Sequence, residues 1–404
     1  MKTNLTAAHD REATEVADSS CLPPPRIVVD ATAGMSGGKV YLDELLPRMI
    51  ESLANTDWII YGEATPELKA LAARRRIRIR SPWFPQPTTS LLLAGVAKLC
   101  WREIVLPFRL AWLRPCLLLT TANFASPLLS LLRVPVVIGL HNLLPFHQPQ
   151  WYTEPSMVRR LRQDSLLLLT LWSARKVTRT IAFSGYAKTL LCKGRVDPAK
   201  VPVVHHGTRP SRRQWSATES DTVLLVSHYF AYKNIDLVIR SLVRVQDATG
   251  RKIRLLVQGI PYDGRYYEHL AELVHRLGFE ESVSLGRGVA SEELEALYAS
   301  SACLVFPAIG ENCPITLLEA MSVGIPIVAA KADPLPEICG DAAIYYETFD
   351  ERACADAIVQ VLSDNEAARA LSLAGRRRAA ADFTWETCAR KTVNVICEAW
   401  QHWR

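Results

Sequence analysis

Between Phe306 and Ala330 the chain reads FPAIGENCPITLLEAMSVGIPIVAA, and few folds accept that order. An apolar run ends in a loop, a short helix follows, and a Gly-x-Pro step leads into a second apolar run. Pro314 suits the first helical position, where its missing N–H is no loss, and Gly324 suits the left-handed residue that stops a helix. The helix expected between them, about Ile315 to Val323, opens on the amides of Ile315, Thr316 and Leu317. Such a helix mouth can hold an anion on backbone donors. Glu311 lies in the loop at that mouth, and Glu319 falls one to two turns inside the helix. A carboxylate can accept from two neighbouring hydroxyls at once, as on a ribose. A second carboxylate beside a sugar can offset developing positive charge. Taken alone, the stretch also fits a surface helix with two solvated glutamates.

The whole chain has 404 residues, 49% of them apolar, which allows two domains with ordinary cores. Its net charge of +6 is uneven. Residues 1–200 carry 26 Lys and Arg against 15 Asp and Glu (+11), and the remainder 21 against 26 (−5). A basic surface on the first half can face nucleic acid, anionic lipid or an acidic acceptor. Ten cysteines are scattered without C-x2-C pairs or zinc spacing, which fits reduced thiols in a cytoplasmic protein. The first twenty residues hold no apolar core of a signal peptide. No apolar run reaches the roughly 18 residues of a spanning helix.

Residues 1–25 read as a disordered tail. Arg26–Asp30, the small-residue loop Ala31–Lys39 and a helix over Tyr41–Ser52 open a βαβ unit. Gly37 and Gly38 in that loop either let the backbone approach a ligand or serve a tight turn. The RRRIRIR run at 74–80 predicts an edge strand or exposed rim, and Trp83–Pro85 a loop. Ser90–Thr121 is rich in Leu and Trp, with Lys98, Arg102, Arg109 and Arg114 interspersed among Trp101, Phe108 and Trp112. Two readings fit it, a membrane-interface stretch or a buried helix pair flanking the sheet. His141 stands where a strand runs out, the place where doubly wound sheets bind ligands, or it merely caps the loop. His206 lines a cleft or is an ordinary loop histidine. Residues 207–220 read as a linker or exposed loop and place the domain boundary. Beyond it, Asn234 suits an N-cap and places Lys233 just outside a helix N-terminus, where an ammonium can meet diphosphate oxygens. Ser291 has the look of a capping box without its final Glu.

Glu311–x7–Glu319, with Ala320-Met321 and Gly324-Ile325-Pro326 behind it, resembles the signature of family 4 of the retaining nucleotide-sugar glycosyltransferases. The resemblance covers roughly residues 26–400. It implies an α/β chain of two Rossmann-like domains facing a central cleft (GT-B), with a C-terminal helix crossing back to the first domain. The expected parts are an acceptor domain at 26–206, a donor domain at 207–385 and the returning helix at 386–404. By that likeness Glu311, His141 and Lys233 are catalytic. Glu319, Ile315, Thr316, Leu317, His228, Gly37 and Gly38 bind the donor. The family keeps an Arg where this chain has His228, which leaves the first diphosphate cation open. With no Asp-x-Asp in the sequence, neither metal nor other cofactor is expected beyond the nucleotide-sugar co-substrate. The implied reaction moves a sugar from a nucleotide-diphosphate donor to a saccharide or lipid-linked saccharide, in bacterial surface-polysaccharide synthesis. The implied setting is the cytoplasm, with the basic half against the inner membrane face. Alternatives are a nucleotide-sugar epimerase of the same fold and a non-catalytic membrane-surface binder. A nucleic-acid partner is not favoured, since no recognition helix or aromatic–basic motif stands out.

Overall fold

The computed structural model describes residues 23–32, 36–63, 65–82, 91–146, 157–216 and 219–404. Most of the tail, Gly34 and the Trp83–Pro85 loop lie outside them. The first lobe runs β1 (Arg26–Asp30), α1 (Ser36–Ser52), β2 (Asp57–Tyr61), α2 (Pro66–Ala72), β3 (Ile77–Arg80), α3 (Leu91–Cys100), α4 (Leu106–Trp112), β4 (Leu117–Thr120), α5 (Pro127–Leu131), β5 (Val136–Leu140), α6 (Met157–Lys176), β6 (Arg179–Ala182) and α7 (Gly185–Lys193). The second runs β7 (Thr222–Val226), α8 (Ile235–Thr249), β8 (Arg254–Gln258), α9 (Gly264–Arg276), β9 (Val283–Leu285), α10 (Ser291–Ser300), β10 (Cys303–Phe306), α11 (Ile315–Val323), β11 (Ile327–Ala330), α12 (Leu335–Cys339), β12 (Ala343–Tyr346), α13 (Glu351–Ser363), α14 (Asn365–Asp382) and α15 (Trp385–Trp403).

Each lobe holds a six-stranded parallel sheet, ordered β3-β2-β1-β4-β5-β6 and β12-β11-β10-β7-β8-β9. Counted from its own first strand, each sheet has the same order, that of a dinucleotide-binding Rossmann fold, so the molecule is a GT-B α/β protein. Central strands such as Leu117–Thr120 and Cys303–Phe306 are buried along their whole length, as parallel strands covered on both faces must be. The arginine-alternating β3 is an edge strand, where its charged side chains reach water.

α15 returns to the first lobe. Arg48 Nε bonds Glu386 Oε1 at 2.8 Å, and Trp403 Nε1 donates to Arg133 O at 3.0 Å. Trp400 is buried beside it. The two chain crossings run side by side, with Thr208 N–H donating to Phe383 O at 2.8 Å. A Cβ on Gly207 would fall 2.3 Å from Trp385 N, so only glycine lets the strands of this hinge touch.

Several local expectations are corrected. Residues 207–216 are no free linker. Trp215 is buried, its backbone N–H bonds Val323 O (3.0 Å) and its indole bonds Ser301 O (2.9 Å). Ala290, not Ser291, stands at the start of α10, and it makes no side-chain cap. Helix α1 begins at Ser36, so Gly37 and Gly38 form its first turn rather than a loop. Between α3 and α4 one turn, Trp101–Val105, is π-helical. That turn carries Trp101 inward, fully buried against Tyr61 at a 5.0 Å centroid distance. Of the three aromatics expected at an interface, Phe108 and Trp112 remain outside.

Candidate active site

In the second sheet the chain leaves β7 into the turn His228–Lys233 and leaves β10 into the loop Ala308–Pro314. β7 and β10 are the adjacent strands at which the sheet order reverses, and their carboxyl ends frame the ligand crevice of a doubly wound sheet. Lys233 and Glu311 meet there as an ion pair, each side chain 13% exposed. Burial pulls the Lys233 pKa down, but the Glu311 carboxylate outweighs it and holds the ammonium above its ordinary range. Asn234 is left-handed (φ 53°) and does not cap α8. Tyr266 Oη accepts from Ile235 N–H instead, at 2.9 Å. Thus Lys233 sits two residues before the first residue of α8, just outside the helix as expected, although the expected cap is replaced.

His228 stands at the same turn. Its Nδ1 accepts from Ile260 N–H at 3.1 Å, and burial together with the Lys233 charge holds its pKa below the ordinary histidine range. With Nδ1 accepting, the ring carries no proton on that nitrogen in this arrangement. Pro314 falls one position before α11, and Gly324 ends the helix at φ 88°. Leu317 N–H is taken by Pro314 O (3.0 Å), so of the three expected amides those of Ile315 and Thr316 stand at the open mouth. The Glu319 carboxylate, inside α11, has no hydrogen-bond partner among the described residues. Burial, reinforced by the nearby Glu44 carboxylate of α1, pushes its pKa up to about 7.

The first lobe contributes the end of β5. His141 packs against Phe183 (4.4 Å), Tyr41 (4.9 Å) and, nearly parallel, His206 (5.5 Å). A Cβ on Gly38 would lie 3.8 Å from His141 Cγ and 3.9 Å from Thr121, so the small residues bring the start of α1 against this histidine. Burial and then His206 push the His141 pKa well below its ordinary value, and its Nε2 has no partner among the described residues. His206 Nδ1 lies 2.9 Å from Cys313 O. A carbonyl only accepts, so Nδ1 carries the proton. Burial lowers this pKa to about 4. Both imidazoles are neutral.

The two halves meet through residues that sequence reasoning passed over. Asn312 Nδ2 donates to Leu140 O at 2.6 Å. Glu337 of α12 accepts from Gly185 N–H (2.7 Å) and Tyr186 N–H (3.2 Å) at the mouth of α7, and bonds His205 Nε2 (2.8 Å). Burial alone would raise the Glu337 pKa, but His205 and these amides hold it below the usual carboxylate range. One sequence signal was present for Asn312, a polar amide between the motif glutamate and the apolar Cys313-Pro314.

Comparison with known proteins adds two matches that tile the chain. Residues 35–212 match the model of Glycosyltransferase Family 4, and residues 208–378 that of Glycosyl transferases group 1. The chain is 32% identical over 163 residues to the O-antigen chain mannosyltransferase B of Escherichia coli, covering 40% of this chain and 42% of that one. It is 27% identical over 255 residues to the MMP alpha-(1->4)-mannosyltransferase of Mycolicibacterium hassiacum, covering 62% and 58%. The chain thus spans about half the length of the curated relatives it matches. Anabaena HepE, solved with UDP and glucose, superposes with a TM-score of 0.69 at 17% identity over 91% of this chain and 98% of its own, a likeness of fold.

Proposed function

We propose a reaction for a chain that belongs to the family 4 and group 1 glycosyltransferases, namely transfer of a hexose, with retention, from a nucleoside-diphosphate sugar to a saccharide or lipid-linked saccharide. The observation that carries it is the largely enclosed Lys233–Glu311 pair near the mouth of α11, in the loop whose next residue, Asn312, bonds His141 O. The diphosphate lies on Lys233 and the amides of Ile315 and Thr316, Glu319 accepts from the ribose hydroxyls, and Glu311 and His141 flank the sugar. As the bond from the anomeric carbon to the diphosphate oxygen breaks, its electron pair leaves with the diphosphate, the acceptor hydroxyl oxygen bonds the anomeric carbon on the same face, and the hydroxyl proton passes to the departing diphosphate. Fixed positive charge aimed at that oxygen lowers the barrier. The relatives named above are mannosyltransferases, so GDP-mannose heads the donor panel, with UDP-glucose second. The O-antigen relative supports a place in surface-polysaccharide assembly.

The test incubates the protein with each nucleotide sugar, with and without a lipid-linked saccharide, and follows nucleoside diphosphate and product. Acceptor-dependent release with the anomeric configuration kept supports the reading. Sugar conversion without acceptor identifies an epimerase, and neither event a binder. Because Lys233 and the helix mouth supply the positive charge, we expect the rate to persist in EDTA. A tenfold loss restored by Mg2+ or Mn2+ would contradict that.

We further propose that the first lobe rests on an anionic membrane surface. Ile104 (51% exposed), in the π turn, and Phe108 (57%) and Trp112 (95%), on α4, are exposed apolar side chains four residues apart, near exposed Arg109 and Arg114. Met157, Leu161 and Leu168 form another on α6. No described helix is long and apolar enough to cross a membrane, so contact would be interfacial. The double variant Phe108→Ser with Trp112→Ser is expected to lose at least threefold in binding to phosphatidylglycerol vesicles by flotation. Equal binding removes this surface from the account.

A further inference from the structure

The loop that carries Glu311 is gripped by the opposite lobe. Asn312 is 7% exposed. Its Nδ2 reaches Leu140 O (2.6 Å) and His141 O (3.3 Å), both at the end of β5, and its Oδ1 lies 3.4 Å from Ser184 Oγ. Ser184 Oγ already accepts from Ala187 N–H at 3.1 Å to cap α7, so its hydrogen is the one that serves Oδ1. The next residue repeats the pattern, since Cys313 O accepts from His206 Nδ1–H. Two consecutive residues of the second lobe therefore spend their polar groups across the cleft, around His141. Glu311, immediately before them, is paired within its own lobe to Lys233. A buried amide with all its partners in the other lobe loses them together if the lobes separate.

We infer that Asn312 is a positioning residue. It docks the Glu311 loop on the end of β5, so that closing the lobes and setting Glu311 and Lys233 opposite His141 are a single event. The catalytic half of this inference rests on the transfer reading above, whereas the docking itself does not.

The experiment compares the full chain with Asn312→Ala and Asn312→Asp in three measurements. These are the radius of gyration by small-angle X-ray scattering without nucleotide, GDP and UDP affinity by calorimetry, and transfer from GDP-mannose and UDP-glucose. Both variants are expected to expand beyond experimental error, Asn312→Asp the more, because a carboxylate has no proton for the two carbonyls. Nucleoside diphosphate affinity is expected to change less than threefold while kcat falls at least tenfold. Ser184→Ala, which removes the longest contact together with the cap of α7, should still lose less kcat than Asn312→Ala. If Asn312→Asp does not fold, Asn312→Ala decides alone. Unchanged dimensions and kcat overturn the inference. A tenfold loss of nucleotide affinity at unchanged kcat also overturns it, since Asn312 would then hold the donor. A wild-type chain that neither binds nucleotide nor transfers sugar refutes the transfer reading instead, and the scattering comparison still decides the docking.

Discussion

Lys233→Ala is expected to lower kcat for sugar transfer at least tenfold, about 1.4 kcal/mol of transition-state stabilisation. The ammonium is fixed at the crevice and stays charged across the working pH range, because Glu311 holds its pKa above the ordinary value. Its effect grows as the diphosphate departs, so kcat should suffer more than donor affinity. Truncation also strands Glu311, largely enclosed and unpaired, and breaking such a pair from one side destabilises the fold. A loss of activity alone would thus confuse chemistry with stability. Lys233→Met combined with Glu311→Gln separates them, since no charge is left unpaired. That double variant is expected to recover the thermal midpoint of the wild type and remain at least tenfold slow. Recovery of both would make the pair a structural bridge only.

The second large effect concerns Glu319 and runs in opposite directions for stability and binding. Its carboxyl goes from an ordinary 4.5 to about 7 through burial and the Glu44 charge. At about 1.36 kcal/mol per pH unit, that gap is worth about 3 kcal/mol. A raised carboxyl pKa means the folded state binds the proton more tightly than the unfolded chain. The stabilisation is therefore full below pH 4.5, declines as pH rises to about 7 and is absent above it. Glu319→Gln has no such titration. Its stability relative to wild type should rise across that window and level off above it, as denaturant midpoints at pH 5 and pH 8 will report. Donor binding needs the opposite form, since an ionised carboxylate accepts from both ribose hydroxyls. The wild-type KM for the donor should therefore climb as pH drops below 7. In Glu319→Gln it should be at least tenfold higher at pH 8 and nearly flat with pH. A variant with unchanged KM, or one less stable than wild type at pH 8, contradicts this role.

These effects explain what could be read in advance. The strand–loop–helix–strand at 306–330 announces itself because Pro314 and Gly324 punctuate it chemically, and parallel strands such as Leu117–Thr120 are legible as unbroken apolar runs. The positions of Lys233 just outside α8 and of Glu311 in the loop before α11 were likewise readable, but their pairing was not. It depends on β7 and β10 being neighbours, which sequence separation hides. Asn234 misled because Tyr266, from another helix, supplies the helix start with a better acceptor. Trp101 misled because a single π-helical turn moves it from the outer face to the core. Asn312, Glu337 and His205 went unread for a common reason. Their partners lie in the opposite lobe, and no local pattern encodes a contact between residues more than a hundred positions apart.

The account turns on where a diphosphate sits. A crystal structure of the protein grown with GDP or UDP asks this directly. We expect the β-phosphate within hydrogen-bond distance of Lys233 Nζ and of the Ile315 or Thr316 amide, with the ribose hydroxyls on Glu319. Nucleotide bound elsewhere, with Lys233 still closed on Glu311, would contradict it.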